Sequence, residues 1–427
     1  MMIDLFDLHN EADHDHPKGQ IKATSSAKLI RAFRAVIDEI REAHPLKLKE
    51  IASEIGVTYA TLWEYQKRGR GIPLQVLKNL CVLASLATGK SITHFSVRLQ
   101  TKIQYLEYGA GPSKKTCKAV KLLDNNLAKI AGAHAADGHL RCRQTNRGER
   151  NVRRYEFVVR DGYRSNLEAL VKWMKSAFSL QPKIRRESSS EGWNIYVSNK
   201  IIFRYLNQIF GFPTGRKHDI VKMPDIIANS SLDVQKSFCL GVFTFDGGVD
   251  HRTGYVNLQT KSYKLFKDIN QVLRTVDIKP DYMSKRPDHY GRWTIRFRKT
   301  QKLRKCLTLF EPMTEKWERL KDHVFRPAGH AKNFRELVMK FKHAYPRTNA
   351  KSATFSDVLR VIHDLKRVTV RKASSAIDRE YTVTYEYLKK LEDWRILSSV
   401  RSNTGTKIWQ INSDAGQWRV PVRIVNK

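Results

Sequence analysis

Leu29, Ile30, Phe33, Val36, Ile37 and Ile40 recur at helical spacing, which predicts a helix from near Lys28 to about His44, capped by Ser25 or Ser26 and stopped by Pro45. The next apolar run, Leu48 to Tyr65, carries a small residue at Ala52, a turn glycine at Gly56, Val57 to plug the core and Thr58 as a cap. It predicts two short helices that cross closely. A further helix follows Gly71-Ile72-Pro73-Leu74 and runs through Ala84. Upstream, residues 1–24 read as a flexible acidic tail, in which His9, His14 and His16 are solvated rather than set as metal ligands.

Between about Asn126 and Val324 the pattern occurs twice. One copy opens with the apolar helix Leu127 to Gly138 and the other with Phe238 to Gly247; in each, Asp follows a glycine by five residues and is followed by Gly, as in Gly132, Asp137 and Gly138 or Gly241, Asp246 and Gly247. Each then predicts two strands (Tyr155 to Val159; Tyr255 to Leu258), an amphipathic helix, a second strand pair (Trp193 to Val197; Trp293 to Phe297) and a further helix. Pro182 and Pro280 stand 98 apart, Trp193 and Trp293 100 apart, and Lys217 and Lys316 99 apart, so the register holds across the second half of each copy.

Residues 327–352 combine a basic helix from Phe334 to Phe341 with a Pro/Thr/Asn/Ser stretch and read as a linker. In residues 353–427, Phe355 to Ile362, Ala373 to Ile377 and the stretch after Thr382 predict three helices; Ile396 to Arg401 and Lys407 to Ile411 predict a hairpin around Asn403-Thr404-Gly405. Trp63, Trp193, Trp293 and Trp409 read as packing residues rather than base-stacking platforms.

Charge narrows the function. With 78 Lys and Arg against 42 Asp and Glu in 427 residues the formal net charge is +36, while 41% hydrophobic residues mark a globular chain. A polyanion is the expected partner. No apolar run approaches the roughly 18 residues that a spanning helix needs, so nucleic acid is favoured over membrane. The five cysteines are scattered, without a C-x-x-C pair, and no secretory or organellar leader is evident, which together predict a cytoplasmic, nucleoid-associated protein with reduced thiols.

Three resemblances follow from these residues. Residues 25–110 resemble an all-α helix-turn-helix domain of the phage-repressor type, in which Thr58, Tyr59, Thr61 and Tyr65 would face DNA and Lys67, Arg68 and Arg70 would lie near phosphates. Residues 353–427 resemble a winged helix-turn-helix domain. The two Gly-x-x-x-x-Asp-Gly helices, with residues 120–225 and 230–326 as repeats 1 and 2, resemble the LAGLIDADG homing endonuclease family of the two-motif single-chain type. The implied fold is α+β: a pseudo-two-fold duplicated αββαββα core with two β-saddles and the two flanking modules.

The LAGLIDADG resemblance also implies chemistry. Gly132, Ala133, Ala136 and Gly241 would let the helices pack backbone to backbone and bring Asp137 and Asp246 side by side, where a hard divalent ion, Mg²⁺ or Mn²⁺, would offset their repulsion. Lys217, within Gly211 to Lys217, and Lys316, within Thr314 to Trp317, would stand beside the scissile phosphates. Arg160 and Gln259, at strand ends, would organise water. The saddles would enter the DNA major groove, with Arg141, Arg143, Gln144, Arg147, Arg150, Arg153 and Arg154 as readers or phosphate contacts in one copy and Lys285, Arg286, Arg292, Arg296 and Arg298 in the other. His134, a turn before Asp137, would pack at the helix interface. The activity implied is site-specific double-strand DNA cleavage by a monomer at a long asymmetric site. The alternatives are a regulator retaining the core without cleavage, as in sporulation regulators that combine it with a helix-turn-helix, and a maturase acting on intron RNA.

Overall fold

The computed structural model describes residues 1–9, 19–67, 70–109, 114–147, 150–187, 192–251, 254–325, 329–331, 333–345, 353–412 and 418–420. The chain divides into two compact units, Met1–Val249 with Tyr255–Leu320, and Asp250–Gly254 with Lys321–Lys427.

In the first unit, α1 (Ala27–Ala43) starts on Ser26, whose hydroxyl accepts from the Leu29 N–H, and buries the apolar stripe Leu29, Phe33, Val36, Ile37 and Ile40. α2 (Leu48–Glu54) and α3 (Tyr59–Lys67) meet across a turn in which Gly56 takes φ +79° and the Val57 N–H reaches the Ala52 carbonyl. Thr58 caps α3 by accepting from the Thr61 N–H at 3.2 Å. Tyr65 does not face outward: it is three residues beyond Leu62 on the same buried face and meets Phe33 edge-on, with centroids 6.3 Å apart. Ile55 fills the core under the turn, Val57 is half-buried, and Trp63 is exposed. α4 (Leu74–Thr88) and α5 (Ile92–Gln100) complete the helices. β1 (Lys22–Ala23), β2 (Ile72–Pro73), β3 (Tyr105–Tyr108) and β4 (Lys115–Lys118) form an antiparallel sheet in the order β2-β1-β3-β4.

The first nine residues belong to this unit. Ile3, Leu5, Phe6 and Leu8 are buried, the Leu5 N–H donates to Gln100 Oε1 at 2.8 Å, and the Ile3 N–H donates to the Lys121 carbonyl at 2.8 Å. The acids that suggest a tail, Asp4 and Asp7, are interleaved with the apolar residues of a short 3₁₀ turn, Leu5–Leu8. His14 and His16 lie outside the described residues.

Next come α6 (Asn125–Asp137), β5 (Gly138–Arg147), β6 (Arg150–Asp161), α7 (Arg164–Phe178), β7 (Ile184–Arg186), β8 (Trp193–Ser198) and α8 (Lys200–Arg204). After the short α9 (Asp225–Ala228) the same order returns as α10 (Leu232–Asp246), β9 (Gly247–Val249), β10 (Val256–Thr260), α11 (Tyr263–Thr275), β11 (Tyr282–Met283), β12 (Trp293–Phe297) and α12 (Thr300–Cys306), with α13 (Glu315–Phe325) following. Both sheets have one antiparallel order, β5-β6-β8-β7 and β9-β10-β12-β11. Leu140, Phe157 and Val159 in one, and Leu258, Ile295 and Phe297 in the other, form the buried face. Strand alternation then turns Arg141, Arg143 and Arg154, or Asn257, Gln259 and Arg296, to the opposite face.

In the second unit, β13 (Gly329–Ala331), α14 (Phe334–Ala344), α15 (Phe355–Leu365), β14 (Arg367–Val368), α16 (Val370–Ile377), α17 (Tyr381–Asp393), β15 (Leu397–Arg401), β16 (Lys407–Ile411) and β17 (Trp418–Val420) surround a core that includes Phe341, Phe355, Ile362, Leu388 and Trp409. β14, β16 and β15 form a sheet in that order, and Gly405 turns the hairpin with φ +76°. The segment expected as a linker contributes to this core: α14 buries Leu337, Val338 and Phe341, because its basic residues occupy the opposite side of one apolar stripe. No described helix is long and apolar enough to cross a membrane.

Candidate active site at the paired helix ends

α6 and α10 touch backbone to backbone. A Cβ on Gly132 would sit 2.2 Å from the Phe238 carbonyl oxygen and 3.0 Å from Gly241 Cα; a Cβ on Gly241 would sit 2.3 Å from the Lys129 carbonyl oxygen and 3.0 Å from Gly132 Cα. The reciprocity fixes where each helix ends, since Asp137 and Asp246 are the last residues of α6 and α10 and each follows its contact glycine by five positions. Gly138 and Gly247 then swing the chain into a strand where a side chain would collide with the preceding turn, at 2.4 Å from His134 Cα and 2.3 Å from the Phe243 oxygen.

The helix ends are capped by lysines. Lys217 Nζ donates to the carbonyls of His134, Ala135 (2.6 Å) and Ala136 (2.5 Å); Lys316 Nζ donates to those of Thr244 (3.0 Å) and Phe245. These are the carbonyls a helix leaves unpaired at its negative end, so each ammonium meets both hydrogen-bonding need and dipole. Lys217 spends all three N–H bonds this way and Lys316 two of three. Burial lowers the pKa of both, Lys217 to about 8, against the opposing pull of Asp246 and Asp137.

Asp137 and Asp246, at the ends of the paired helices, act on each other electrostatically. Asp137 is exposed and Asp246 half-buried, so solvent reaches both, although protein surrounds most of the pair. Desolvation raises both carboxyls, and the charge of Asp137 helps take Asp246 to about 7. Among the described residues no group of three or more His, Cys, Asp and Glu is arranged to hold a metal. Two adjoining carboxylates nevertheless fit a hard divalent ion of the Mg²⁺ kind, which keeps several waters and takes substrate phosphate oxygens as further ligands.

Arg160 and Gln259 stand at matching strand-end positions, opposite Asn194 and Thr294. Arg160 pairs with Glu187 at 3.0 Å. Its neighbour Asp161 turns inward instead. It accepts from the Tyr163 N–H (2.6 Å) and Asn166 Nδ2 (2.9 Å), and Asn166 Nδ2 also reaches the Thr244 carbonyl at 2.9 Å, tying the first repeat to the end of α10. Burial lifts Asp161 to about 6, with Lys316 the strongest counterweight and Asp137 adding to the rise. Gln259 lies on the open face, opposite Thr294. His134 is fully buried against Phe212 and Phe157, with centroids 4.4 and 5.7 Å away, and burial holds it neutral; its packing partners are these rings.

Of the candidate readers, Arg141, Arg143 and Arg154 share the open face of β5 and β6, with Arg143 directly opposite Arg154. Two guanidiniums so placed repel unless an anion lies over them. His139 senses the same field: burial lowers its pKa first, then Arg141, Lys217, Arg143 and Arg160 lower it further. Arg153 is on the other side of the strand, in phase with Tyr155 and Phe157. The side chains of Gln144, Arg147 and Arg150 lie outside the described residues. Buried Phe297 separates Arg296 from Arg298; Arg296 lies 5.9 Å over the Tyr282 ring and Arg298 5.7 Å over that of Tyr255. Arg292 is paired with Asp288 at 2.9 Å, while Lys285 and Arg286 are exposed.

The raised acids predict a pH dependence. In the unfolded chain an aspartate ionises near 3.8, whereas Asp246 does so near 7 and Asp161 near 6 in the fold. The folded state therefore binds more protons between about 4 and 7, and stability falls as pH rises through that window. Thermal unfolding in EDTA is expected to shift to lower temperature between about pH 5 and pH 7.5, with Mg²⁺ restoring stability only at the higher pH. An Asp246→Asn variant should lose most of both effects; an unchanged pH response in that variant contradicts the assignment.

No protein-family model matches the chain and no curated protein matches it. Among solved structures, I-DmoI in complex with DNA and Ca is similar at 14% identity and a TM-score of 0.36, over 47% of this chain and 99% of that one. The I-LtrWI LAGLIDADG homing endonuclease bound to target DNA is similar at 10% identity and a TM-score of 0.32, over 47% and 89%. Full-length DUF199/WhiA from Thermatoga maritima is similar at 11% identity and a TM-score of 0.30, over 64% and 91%.

Proposed function

We propose that the protein is a site-specific double-strand DNA endonuclease that hydrolyses one strand with each aspartate of the helix pair. The observation that carries this reading is the pair of adjoining carboxyls, Asp137 and Asp246, delivered by two helices in glycine contact and opening beside a strongly cationic sheet face. A structural role does not account for two acids placed so that burial raises both and the charge of Asp137 raises Asp246 further.

In this reading the basic faces hold the duplex. Arg141, Arg143 and Arg154 in one repeat, and Arg296, Arg298, Lys285 and Arg286 in the other, neutralise phosphates and read groove edges, and their differing sequences select an asymmetric site. Asp137 and Asp246 would hold divalent ions, Mg²⁺ or Mn²⁺, which would supply water activation and leaving-group stabilisation. Lys217 acts as a positioning residue: it fixes the three carbonyls before Asp137 and so the direction of that carboxyl. Lys316 fixes the end of α10 and has one N–H remaining for a phosphate oxygen. Gln259, on the open face at the end of β10, orients water beside the pair, while Asp161 holds Asn166 and through it the end of α10. Thr58, Tyr59 and Thr61, at the start of α3, add a second DNA contact, and the α15–β16 module adds a third.

A second reading, DNA binding without cleavage, draws support from Lys217, whose ammonium is spent on helix carbonyls and offers no N–H to a phosphate. The two readings separate when the purified protein is incubated with a plasmid carrying its own genomic surroundings, with and without Mg²⁺. Linear product that requires Mg²⁺ is expected. A discrete footprint on intact plasmid in both conditions would establish the binder instead.

A further inference from the structure

A cleft of about 740 Å³ borders α11 and is lined by Lys222, Lys264, Lys267 and Arg274 with Tyr263, Phe266 and Met283. It is separate from the cationic sheet face. Met283 is in register with Ile295 on the buried side of the second sheet, whereas Gln259 and Arg296 alternate to the opposite side. Lys264, Lys267, Gln271 and Arg274 fall three or four residues apart, so they form one stripe down α11 about 15 Å long. Beside it Tyr263, 48% exposed, leans on Trp293 with centroids 4.6 Å apart, and Phe266 supports the same indole at 5.4 Å.

The fold does not require this composition. Counted from the N-caps Tyr163 and Ser262, the stripe positions on α7 are Ser165, Glu168, Lys172 and Lys175, where the anionic Glu168 replaces a lysine and pairs with Arg164. On α11 the only carboxylate lining the cleft is Asp268, whose Oδ2 accepts from the Met223 N–H at 3.0 Å. Lys222 is paired with Asp225 at 2.6 Å, so the cleft sets the three cations of the stripe against one engaged acid, beside a partly open aromatic ring held rigid by two others. A row of cations beside a flat ring is the arrangement that tracks a phosphodiester backbone while a base stacks.

We propose that the α11 cleft binds an unpaired nucleic-acid strand, with backbone phosphates on Lys264, Lys267 and Arg274 and a base on Tyr263. The proposal does not depend on cleavage by the aspartate pair. It is tested on the full chain by fluorescence anisotropy with a short labelled oligo-dT strand, in the presence of excess unlabelled duplex to occupy the sheet faces. Reversing the stripe (Lys264→Glu, Lys267→Glu, Arg274→Glu) is expected to weaken strand binding by about tenfold or more, and Tyr263→Ala by about five- to tenfold, while duplex affinity stays within about twofold. All four side chains are exposed, so the folded state is retained, as circular dichroism would register. Equal losses on strand and duplex, no loss on either, or displacement of the strand by poly-glutamate as readily as by oligo-dT would overturn the proposal. So would binding of AMP as tight as that of the strand, which would make the cleft a mononucleotide site.

Discussion

Replacing both acids, Asp137→Asn with Asp246→Asn, is expected to abolish double-strand cleavage, a loss of at least about a thousandfold, while duplex binding is kept or tightened. The substitution preserves shape and removes the two charges that face phosphate, so affinity carried by the basic sheets has no reason to fall. Each single variant should convert the protein into a nickase, since in the proposed reading each acid stands at the end of one helix and serves one strand. Stability should move the other way from activity. Asp246 is held near 7 by burial and by Asp137, so ionised carboxylates at this place cost folding energy at neutral pH, and the double variant should unfold at a higher temperature than the parent in EDTA. Cleavage assays on supercoiled plasmid, with gel-shift titration and calorimetry on the same preparations, report all three quantities. Persistent linear product from the double variant would remove the acids from the chemistry; loss of binding would make them part of the scaffold.

What was legible in the sequence follows from how tightly each contact restricts its residues. Helix contact at Gly132 and Gly241 admits no side chain, and the glycine-to-aspartate spacing therefore appears twice in plain view. Lys217 and Lys316 became visible only through the repeat, because a buried lysine capping carbonyls leaves no local pattern. The inward position of Asp161 is hidden in the sequence for a different reason. Phe157, Val158 and Val159 are all buried, so β6 gives no alternation from which to phase the next two residues. Its signal lay in Asn166, a polar residue on the buried face of α7 that needs a partner. The N-terminal turn and α14 were hidden by charge: Asp4 and Asp7 in one, and Arg335, Lys340 and Lys342 in the other, outweighed short apolar stripes that only the folded chain reveals.

Gly132→Ala provides the sharpest test of the geometry, because the ordinary expectation has the opposite sign. Within a helix, alanine is favoured over glycine by about 1 kcal/mol. Here the added methyl would lie 2.2 Å from the Phe238 carbonyl oxygen and 3.0 Å from Gly241 Cα, and neither obstacle is the movable end of a side chain. The two helices must separate, along with the Lys129–Glu311 ion pair (2.8 Å) that runs between α6 and the second repeat. Overpacking of this kind costs about 3 kcal/mol, which should outweigh the propensity gain and lower the unfolding temperature. Activity should suffer more than stability. Asp137 lies five residues along the same helix, and a shift of about 1 Å between the two carboxyls is enough to cost roughly a hundredfold in rate. Duplex affinity should change little, since the arginines of the open sheet faces do not report the helix separation. Gly241→Ala should reproduce the pattern from the other side of the contact. A stabilised or fully active variant at either position would show that the helices do not meet through their backbones, and the aspartates would then have no common place at which to act.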